Sequence, residues 1–257
     1  MEAQSVMSDR IASYPSMGEY SIGYEFIKRL TDIVLGSLLL LLFSPLLLTI
    51  GLLIRLTSHG PALFRQARVG RANRIFYIYK FRTMHENADQ NGPQITSSDD
   101  SRVTTIGRIL RDTKLDELPQ LINVVKGEMS LVGPRPQVPR FVNQFPNEYR
   151  DLILTVRPGI TGPTQLRFCN EESLLRGQSD RESYYVRELL PIKCEMDAHY
   201  VIRRSLGTDI QVLWHTFYLF MRGMIRKILR LKPKPAGESY VRERLFEERE
   251  EKADVVA

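Results

Sequence analysis

One long uncharged stretch constrains this chain more than any other feature of its sequence. Residues 33–54 read IVLGSLLLLLFSPLLLTIGLLI, without a single charged side chain. About 20 apolar residues are enough for a helix to cross the hydrocarbon core of a bilayer, so the stretch predicts a membrane segment. A cleaved signal peptide is disfavoured, because the stretch begins late, follows an acid-rich leader and lacks a small-x-small cleavage site.

The dipeptide Ser44-Pro45 lies in the middle of this segment. It predicts a break or kink, because proline removes one backbone donor and clashes with the preceding turn. Lys28 and Arg29 precede the segment and Arg55 follows it, and basic flanks favour the cytoplasmic side of a membrane. Two arrangements satisfy this pattern: a broken, re-entrant helix with both ends on one face, and a spanning anchor that tolerates its proline.

The charge balance and the rare residue types narrow the function classes. The net charge is +6, which suits anionic partners such as nucleic acid, acidic lipid headgroups or phosphorylated substrates. Nucleic-acid binding ranks last, because it leaves the uncharged segment unexplained. Two cysteines give no disulfide framework, the four histidines form no metal-binding pair, and the sequence contains neither a P-loop nor a G-x-G-x-x-G motif.

The rest of the chain predicts a mixed α/β fold that is mainly helical with a small sheet. RIFYIYKFRTM, residues 74–84, alternates and is rich in aromatic residues, which predicts a strand with Ile78, Lys80 and Arg82 on one face. Apolar and basic positions alternate at helical spacing over 220–235, which predicts an interfacial amphipathic helix. The remaining patterns predict a loop over 86–101, helices over 104–114 and from Asp116 to Gly127, and a mainly helical region over 184–221.

Two adjacent carboxylates, Asp116 and Glu117, stand in the stretch TKLDELPQL at the start of a predicted helix. The commoner interpretation of acids at this position is that they cap free backbone N–H groups. The positive end of a helix can also hold phosphate and keep an aspartate ionised. Adjacent positions point in different directions on a helix, so the two acids can have different roles.

Four cations stand in segments of restricted geometry: Lys80, Arg82, Arg111 and Arg135. Each of them alone is most simply a solvated surface charge. Together with a carboxylate pair they supply what phosphoryl transfer requires, namely a nucleophile and fixed positive charge around the transferred group. Mg²⁺ typically binds one or two carboxylates together with substrate phosphates, so the inventory also suits this ion.

Four motifs, taken in order and with their spacing, resemble the bacterial sugar transferase family, the monotopic phosphoglycosyl transferases. The motifs are KRLTDIVLGSLLLLLFSPLLL, YKFRTM, GRILRDTKLDELPQLINVVKGEMSLVGPRP and VRPGITG. The resemblance runs from about Phe26 to about Asn170 and continues into a family-like helical region. An isolated Asp-Glu pair would carry no weight, whereas several motifs in the same order and spacing are specific.

The resemblance implies an enzyme that transfers a phospho-sugar from a UDP-sugar to polyprenyl phosphate, such as undecaprenyl phosphate, with Mg²⁺ as cofactor. It implies Asp116 as the nucleophile and a Mg²⁺ ligand, with a covalent phospho-sugar aspartyl intermediate, and Glu117 as its assistant in proton handling or orientation. Such an enzyme begins a glycan for exopolysaccharide, O-antigen, capsule or glycoprotein. The implied phosphate- or substrate-binding residues are Lys80, Arg82, Arg111, Arg135, Arg157 and Arg167.

The resemblance also implies where the chain works and how it is divided. The family's membrane segment is re-entrant and broken at Ser-Pro, matching Ser44-Pro45, which places the catalytic domain on the cytoplasmic face of the bacterial inner membrane among its lipids. A homodimer stays open. The expected regions are a leader (1–25), the re-entrant helix (26–58), the catalytic domain (59–176), a helical membrane-surface region (177–235) and a charged tail (236–257).

The chain departs from the family pattern after PGITG, where it reads PTQLRFCN. Cys169 stands where the family commonly has arginine, and Arg167 lies two residues earlier. This departure leaves the transferred sugar open. A rival hypothesis is a catalytically silent membrane-surface protein of the same fold, which the basic C-terminal helix and Cys169 favour. The intact set of carboxylates and cations favours the enzyme.

Overall fold

The computed structural model describes residues 22–86, 88, 100–169, 171–175, 178 and 180–228. Most of the predicted leader, most of the predicted loop over 86–101 and the whole charged tail lie outside the described residues. The second half of the basic stretch over 220–235 also lies outside them.

A single long helix, α1 (Ile22–Thr57), carries the uncharged stretch. Its 36 residues make a helix about 54 Å long at 1.5 Å per residue. It is the one helix among the described residues that is long and apolar enough to cross a membrane, and only 11% of its most apolar window is buried. Since a core helix of a soluble protein would be mostly buried, the exposure of its leucines fits an apolar surrounding.

A non-helical break at Ser44-Pro45 is not seen, because α1 continues as a helix through Pro45, whereas a kink at this position stays a prediction. Pro45 has no N–H to donate to the carbonyl of Leu41, four residues earlier. The Ser44 hydroxyl donates to this carbonyl instead, at 2.7 Å, and the Thr49 hydroxyl donates to the carbonyl of Pro45 at 2.8 Å. Local side-chain hydroxyls therefore satisfy backbone groups around the proline.

The buried residues in the described part of helix α1 lie towards its two ends, and between them only the partly buried Leu39, Leu40 and Leu47 pack against apolar clusters of the domain. Asp32 and Gly36 are buried near its start, and Ile50 and Ile54 are buried near its end. Residues 37–49, all of them described, include no buried position. The middle of the helix, around Ser44-Pro45, therefore projects away from the folded domain.

An antiparallel hairpin follows α1, formed by β1 (Leu63–Val69) and β2 (Ile75–Phe81). The strand predicted over 74–84 is confirmed, although it ends earlier, at Phe81. Paired residues share a face in an antiparallel ladder. The pairing of Arg68 with Phe76 and of Gln66 with Ile78 therefore puts Arg68 on the same face as Lys80.

The predicted helix over 104–114 is confirmed as α2 (Thr105–Thr113), which the Thr104 side chain caps. The helix predicted to begin near Asp116 instead starts as a 3-10 turn, Leu115–Gln120, and becomes the α-helix α3 only at Leu121–Lys126. Lys114 adopts a left-handed conformation with φ 57° and separates the two segments. Gly127 ends α3 with φ 88°, as its position predicts.

The remaining elements are mostly helical. A short parallel pair, β3 (Ser130–Val132) and β4 (Gly159–Thr161), forms a second two-stranded sheet. The predicted class, mainly helical with a small sheet, is confirmed, with two separate small sheets. The helices are α4 (Pro139–Val142), α5 (Asn147–Ile153), α6 (Pro163–Arg167), α7 (Glu171–Leu174), α8 (Arg181–Tyr184), which a π-turn joins to α9 (Leu190–Arg203), and α10 (Leu206–Ile228).

Besides a small cluster that packs Ile50 and Ile54 of α1 against Phe81 and Leu110, two larger apolar clusters build the domain around these elements. One joins α4, α5 and α9, with Leu189 and Leu190 almost fully buried. The other joins β2, α3, β3 and α9, with Val124 and Met129 fully buried, and Leu39 and Leu40 of α1 pack against it. The second cluster therefore fixes the segment that carries the two adjacent carboxylates against the long apolar helix.

Candidate active site

The carboxylate of Glu117 is held by two cations from distant parts of the chain. Lys80, near the end of β2, donates to Oε1 at 2.9 Å. Arg135, in the Pro-Arg-Pro segment after β3, donates to both oxygens, at 2.5 and 3.2 Å. Burial alone raises the pKa of Glu117, but the charges and hydrogen bonds of Arg135 and Lys80 outweigh it and hold this pKa well below its usual range. Glu117 is therefore an anion fixed in place.

The neighbouring Asp116 has a different environment. It is 8% exposed, and its Oδ1 is buried without a hydrogen-bond partner among the described residues. Burial, followed by the charge of Glu117, raises the pKa of Asp116, and the charges of Lys80, Lys114 and Arg111 oppose that rise. The interpretation of this acid as a helix cap is not supported, because Asp116 lies inside the 3-10 turn that begins at Leu115, and its Oδ1 accepts from no backbone N–H of the described residues.

Arg111 reaches this region from the last turn of α2. Its Nε donates to the Thr83 hydroxyl at 2.8 Å, and its charge lowers the pKa of Asp116 against the larger effect of burial. Gly107, one turn earlier on the same helix, fits against the backbone of Thr83, where an added Cβ would lie 2.0 Å from the carbonyl oxygen. Close packing of α2 on the end of β2 therefore sets the position of Arg111.

Arg68 is a further cation of this cluster, and no motif in the sequence predicts its place there. It donates to the carbonyl of Pro136 at 3.0 Å and to Gln66 Oε1 at 2.6 Å. Burial and the charge of Arg135 lower the pKa of Arg68 to about 10. The signal that could have found it is the hairpin register, since residues 66 and 68 share the face of Lys80.

Three predicted cations have other surroundings. Arg82 is buried beneath the end of α1, where it donates to the Ser58 carbonyl at 2.9 Å and to the Ser58 hydroxyl at 2.8 Å. Arg157 donates to the carbonyl of Gly127 at 3.0 Å. Arg167 is exposed at the end of α6. Roles for these three arginines in substrate binding stay predictions.

The described residues contain no group of three or more His, Cys, Asp or Glu side chains that could hold a metal ion by themselves. Mg²⁺ does not need such a group, because it commonly uses one or two carboxylates and completes its shell with water and substrate phosphate. The unpartnered Oδ1 of Asp116 is suited to this role. Both oxygens of Glu117 already accept from cations, so Asp116 is the better ligand.

The cluster as a whole can stabilise a phosphate group next to a nucleophile. One carboxylate is unpartnered at one oxygen, its neighbour is locked between cations, and positive charge from Lys80, Arg68, Arg111 and Arg135 surrounds them. Fixed cations of this kind stabilise the charge that develops during phosphoryl transfer. Fold and site together describe a domain whose polar cluster is suited to phosphoryl transfer, attached to a long apolar helix.

Comparison with known proteins agrees with this description and makes it specific. The profile of the family described as "Bacterial sugar transferase" matches residues 23–223. The chain therefore belongs to the bacterial sugar transferase family, as the sequence motifs predict.

Two relatives illustrate the range of the family. The chain is 41% identical over 205 residues to the UDP-N-acetylgalactosamine-undecaprenyl-phosphate N-acetylgalactosaminephosphotransferase of Aeromonas hydrophila, covering 78% of this chain and 45% of the relative. It is 40% identical over 199 residues to the UDP-glucose:undecaprenyl-phosphate glucose-1-phosphate transferase of Caulobacter vibrioides, covering 76% of this chain and 70% of the relative. The chain thus spans less than half of one relative and more than two thirds of the other.

Proposed function

We propose that this protein is a phosphoglycosyl transferase, which moves a sugar 1-phosphate from a UDP-sugar to a polyprenyl phosphate such as undecaprenyl phosphate. The observation that carries the proposal is the buried, unpartnered carboxylate oxygen of Asp116 beside Glu117, which is held by Lys80 and Arg135. The names of the relatives supply the class of donor and acceptor. The product would begin a membrane-bound glycan such as an exopolysaccharide, O-antigen, capsule or glycoprotein chain.

In the first step, the Asp116 carboxylate attacks the phosphorus next to the sugar, and the bond from that phosphorus to the bridging oxygen breaks. UMP leaves with the bridging oxygen, and the enzyme carries a phospho-sugar on Asp116. The burial of Asp116 supports this role, because a poorly solvated carboxylate is more reactive when ionised. In the second step, a phosphate oxygen of the lipid attacks the same phosphorus and releases the free carboxylate.

The role of Glu117 is to organise the cations and not to compete with its neighbour. Its low pKa keeps it ionised, so it holds Lys80 and Arg135 at fixed positions before the substrate binds. Preorganised charge of this kind needs little rearrangement as the transition state forms. Arg135 and Lys80 can then share their remaining N–H donors with the phosphates of the donor substrate.

Mg²⁺ is the proposed cofactor, with Asp116 as its ligand from this chain. When bound, the ion neutralises phosphate charge and stabilises the departing nucleotide phosphate. The raised pKa of Asp116 is consistent with a carboxylate that needs a nearby cation to stay ionised.

A re-entrant path for α1 is part of the proposal, and its contacts support it. Polar groups of the domain bind both ends of the helix: Arg29 and Asp32 near the start bind α3 and β3, while Arg82 binds Ser58 just after the end. A straight helix of this length has its ends about 54 Å apart, more than the roughly 30 Å hydrocarbon core. A domain lying on one face of a bilayer can bind both ends only if both ends are at that face.

The outward face of α10 supports a second membrane contact. Trp214, Phe217, Tyr218 and Phe220 are all exposed on it. Aromatic residues of this kind favour the interface between lipid and water. We propose that the protein lies at the bacterial inner membrane, with its catalytic domain on the cytoplasmic face, where nucleotide sugars are available.

The test is UMP release by the purified protein with Mg²⁺, undecaprenyl phosphate and a panel of UDP-sugars. The proposal predicts release with at least one donor, and loss of that release in Asp116→Asn. The exposed acid Asp151 on α5 offers a matched control, Asp151→Asn, which should keep full activity. A folded wild type that releases no UMP with any donor would favour the silent membrane-surface protein.

A further inference from the structure

The first turns of α1 hold both segments of the site through polar contacts. Arg29, Asp32 and Gly36 follow one another at spacings of three and four residues, so they share one face of the helix. Asp32 and Gly36 are buried on this face, although most of α1 is exposed. This face is therefore specialised for contact with the domain.

Arg29 binds the end of the helix that follows the two acids. Its NH1 donates to the carbonyl of Val124 at 2.7 Å, and its NH2 donates to the carbonyl of Val125 at 3.0 Å. These carbonyls belong to the last turn of α3, whose carbonyls lack the usual helical partners; that of Val124 also accepts from the Gly127 N–H at 3.0 Å. The fit is close, because a Cβ at Gly127 would lie 3.1 Å from Arg29 NH2, and a Cβ at Gly36 would lie 3.2 Å from Val124.

Asp32 binds the start of the strand that leads to Arg135. It is 4% exposed, and its Oδ1 accepts from the Ser130 hydroxyl at 3.0 Å and from the backbone N–H of Leu131 at 2.9 Å. Strand β3 then ends at Val132, and Arg135 follows three residues later. Burying a carboxylate in an apolar helix is unfavourable without such donors, so these contacts account for its presence.

We infer that Arg29 and Asp32 are positioning residues that fix the height of the catalytic segment relative to the membrane. One of them holds the helix after Asp116, and the other holds the strand before Arg135. Both belong to the helix that enters the lipid. The inference rests on the proposed function. In it, Arg29 and Asp32 align the site with the phosphate group of the lipid acceptor.

This role separates the two steps of the reaction. A UDP-sugar is soluble and reaches Asp116 at any height above the membrane, so the first step needs only an intact site. The phosphate of a long polyprenyl chain is confined to the membrane surface. A shift of about 1 Å in a reacting group can slow a reaction by roughly a hundredfold, so the second step depends on alignment.

The experiment compares Arg29→Met with wild type in nanodiscs. We expect the burst of UMP without lipid acceptor to stay within about threefold of wild type, whereas turnover with undecaprenyl phosphate falls roughly 10–100-fold. Arg29→Lys and Asp32→Asn should give smaller losses in the same step, since each keeps part of the contact. Arg55 is exposed at the other end of the same helix, so Arg55→Met is the matched control and should behave as wild type.

Turnover with a short-chain polyprenyl phosphate in detergent separates loss of alignment from a purely structural defect, because a structural defect would not be corrected by a change of acceptor. This acceptor is free to approach at any height, so it should restore the turnover of Arg29→Met to within about threefold of wild type. Equal loss of the burst and of turnover with both acceptors would overturn the inference, as would unchanged turnover in nanodiscs. A wild type without any UMP burst would instead contradict the proposed two-step function.

Discussion

Arg135 contacts both carboxylate oxygens of Glu117, with NH2 at 2.5 Å from Oε1 and NH1 at 3.2 Å from Oε2. Lys80 shares Oε1, so one carboxylate links strand β2, the turn with the two acids and the Pro-Arg-Pro segment. The three side chains are partly buried, with exposed fractions of 17% for Glu117, 18% for Lys80 and 31% for Arg135. The Arg135–Glu117 pair therefore joins the Pro-Arg-Pro segment to the turn that carries Asp116, the proposed nucleophile.

Replacing Glu117 by Gln should destabilise the fold as well as the reaction. Two cations would lose their counter-ion in a partly buried site, which we expect to cost about 2–3 kcal/mol of unfolding free energy. The low pKa of Glu117 means that its contribution is present above pH 4.5, the ordinary value, and is lost as the pH falls towards the folded value. Denaturant unfolding at pH 7 and at pH 4 measures this difference. The exposed Glu148→Gln is the control, and equal stability of both variants at pH 7 would contradict the account.

Asp116→Asn should have the opposite effect on stability while abolishing turnover. The substitution removes a buried charge next to Glu117, so we expect the melting temperature without Mg²⁺ to rise by about 2–4 °C at pH 8. The pKa of Asp116 is raised, so the stability that its neutral form contributes is present at low pH and is lost as the pH rises. The gain should therefore shrink towards pH 4, and a variant less stable than wild type at pH 8 would count against an unpartnered carboxylate.

Pro45→Ala tests the path of α1 through the membrane. The substitution restores a backbone donor for the Leu41 carbonyl, which now accepts from Ser44, and it favours a straight spanning helix. We expect the N-terminus to move across the membrane in a fraction of molecules. Labelling of a cysteine added at the N-terminus, with a reagent that cannot cross the membrane, measures this fraction. Ser44→Ala, which keeps the proline, should stay as wild type. An N-terminus that remains entirely cytoplasmic in Pro45→Ala would contradict this role of the proline.

Asp197 on α9 makes stability depend on pH near neutrality. It is 7% exposed and accepts a hydrogen bond from the Thr164 hydroxyl, and burial raises its pKa to about 7. The folded pKa lies above the unfolded value of 3.8, so the stability that the neutral form contributes is lost as the pH rises through about 7. Wild type should therefore lose more stability than Asp197→Asn between pH 6 and pH 8.5, by about 2–6 °C in melting temperature. Equal losses, measured by thermal unfolding, would show that this carboxyl is already ionised at pH 6.

The sequence predicts those parts of the site that depend on short-range patterns. Alternation over 74–84 predicts the strand that carries Lys80, and the flanking prolines predict a fixed Arg135. Contacts between distant segments are not contained in such patterns. Arg82 follows directly after the strand that carries Lys80, but its side chain lies under the end of α1, where it donates hydrogen bonds to Ser58. Arg157 likewise binds the end of α3 through Gly127.

At Asp116 and at Pro45 the structure differs from the sequence-based prediction. The causes are local backbone and side-chain contacts, which the periodicity of apolar residues does not predict. The left-handed Lys114 turns the chain before Asp116, so the acids stand on a 3-10 turn and not on the predicted α-helix. The Ser44 hydroxyl takes the place of the donor that Pro45 lacks, so the helix continues. Arg68 could be assigned to the site only with the register of the hairpin, which the sequence does not specify.

The most direct test of the central claim is the intact mass of the purified protein after incubation with Mg²⁺ and UDP-sugars, without a lipid acceptor. The account predicts a mass increase of one phospho-sugar for the correct donor, mapped to the peptide that contains Asp116. The adduct should be present in Asp151→Asn, absent from Asp116→Asn, and lost from wild type when undecaprenyl phosphate is added. An adduct that persists in Asp116→Asn, or lipid-dependent UMP release by an enzyme that never carries the sugar phosphate, would contradict it.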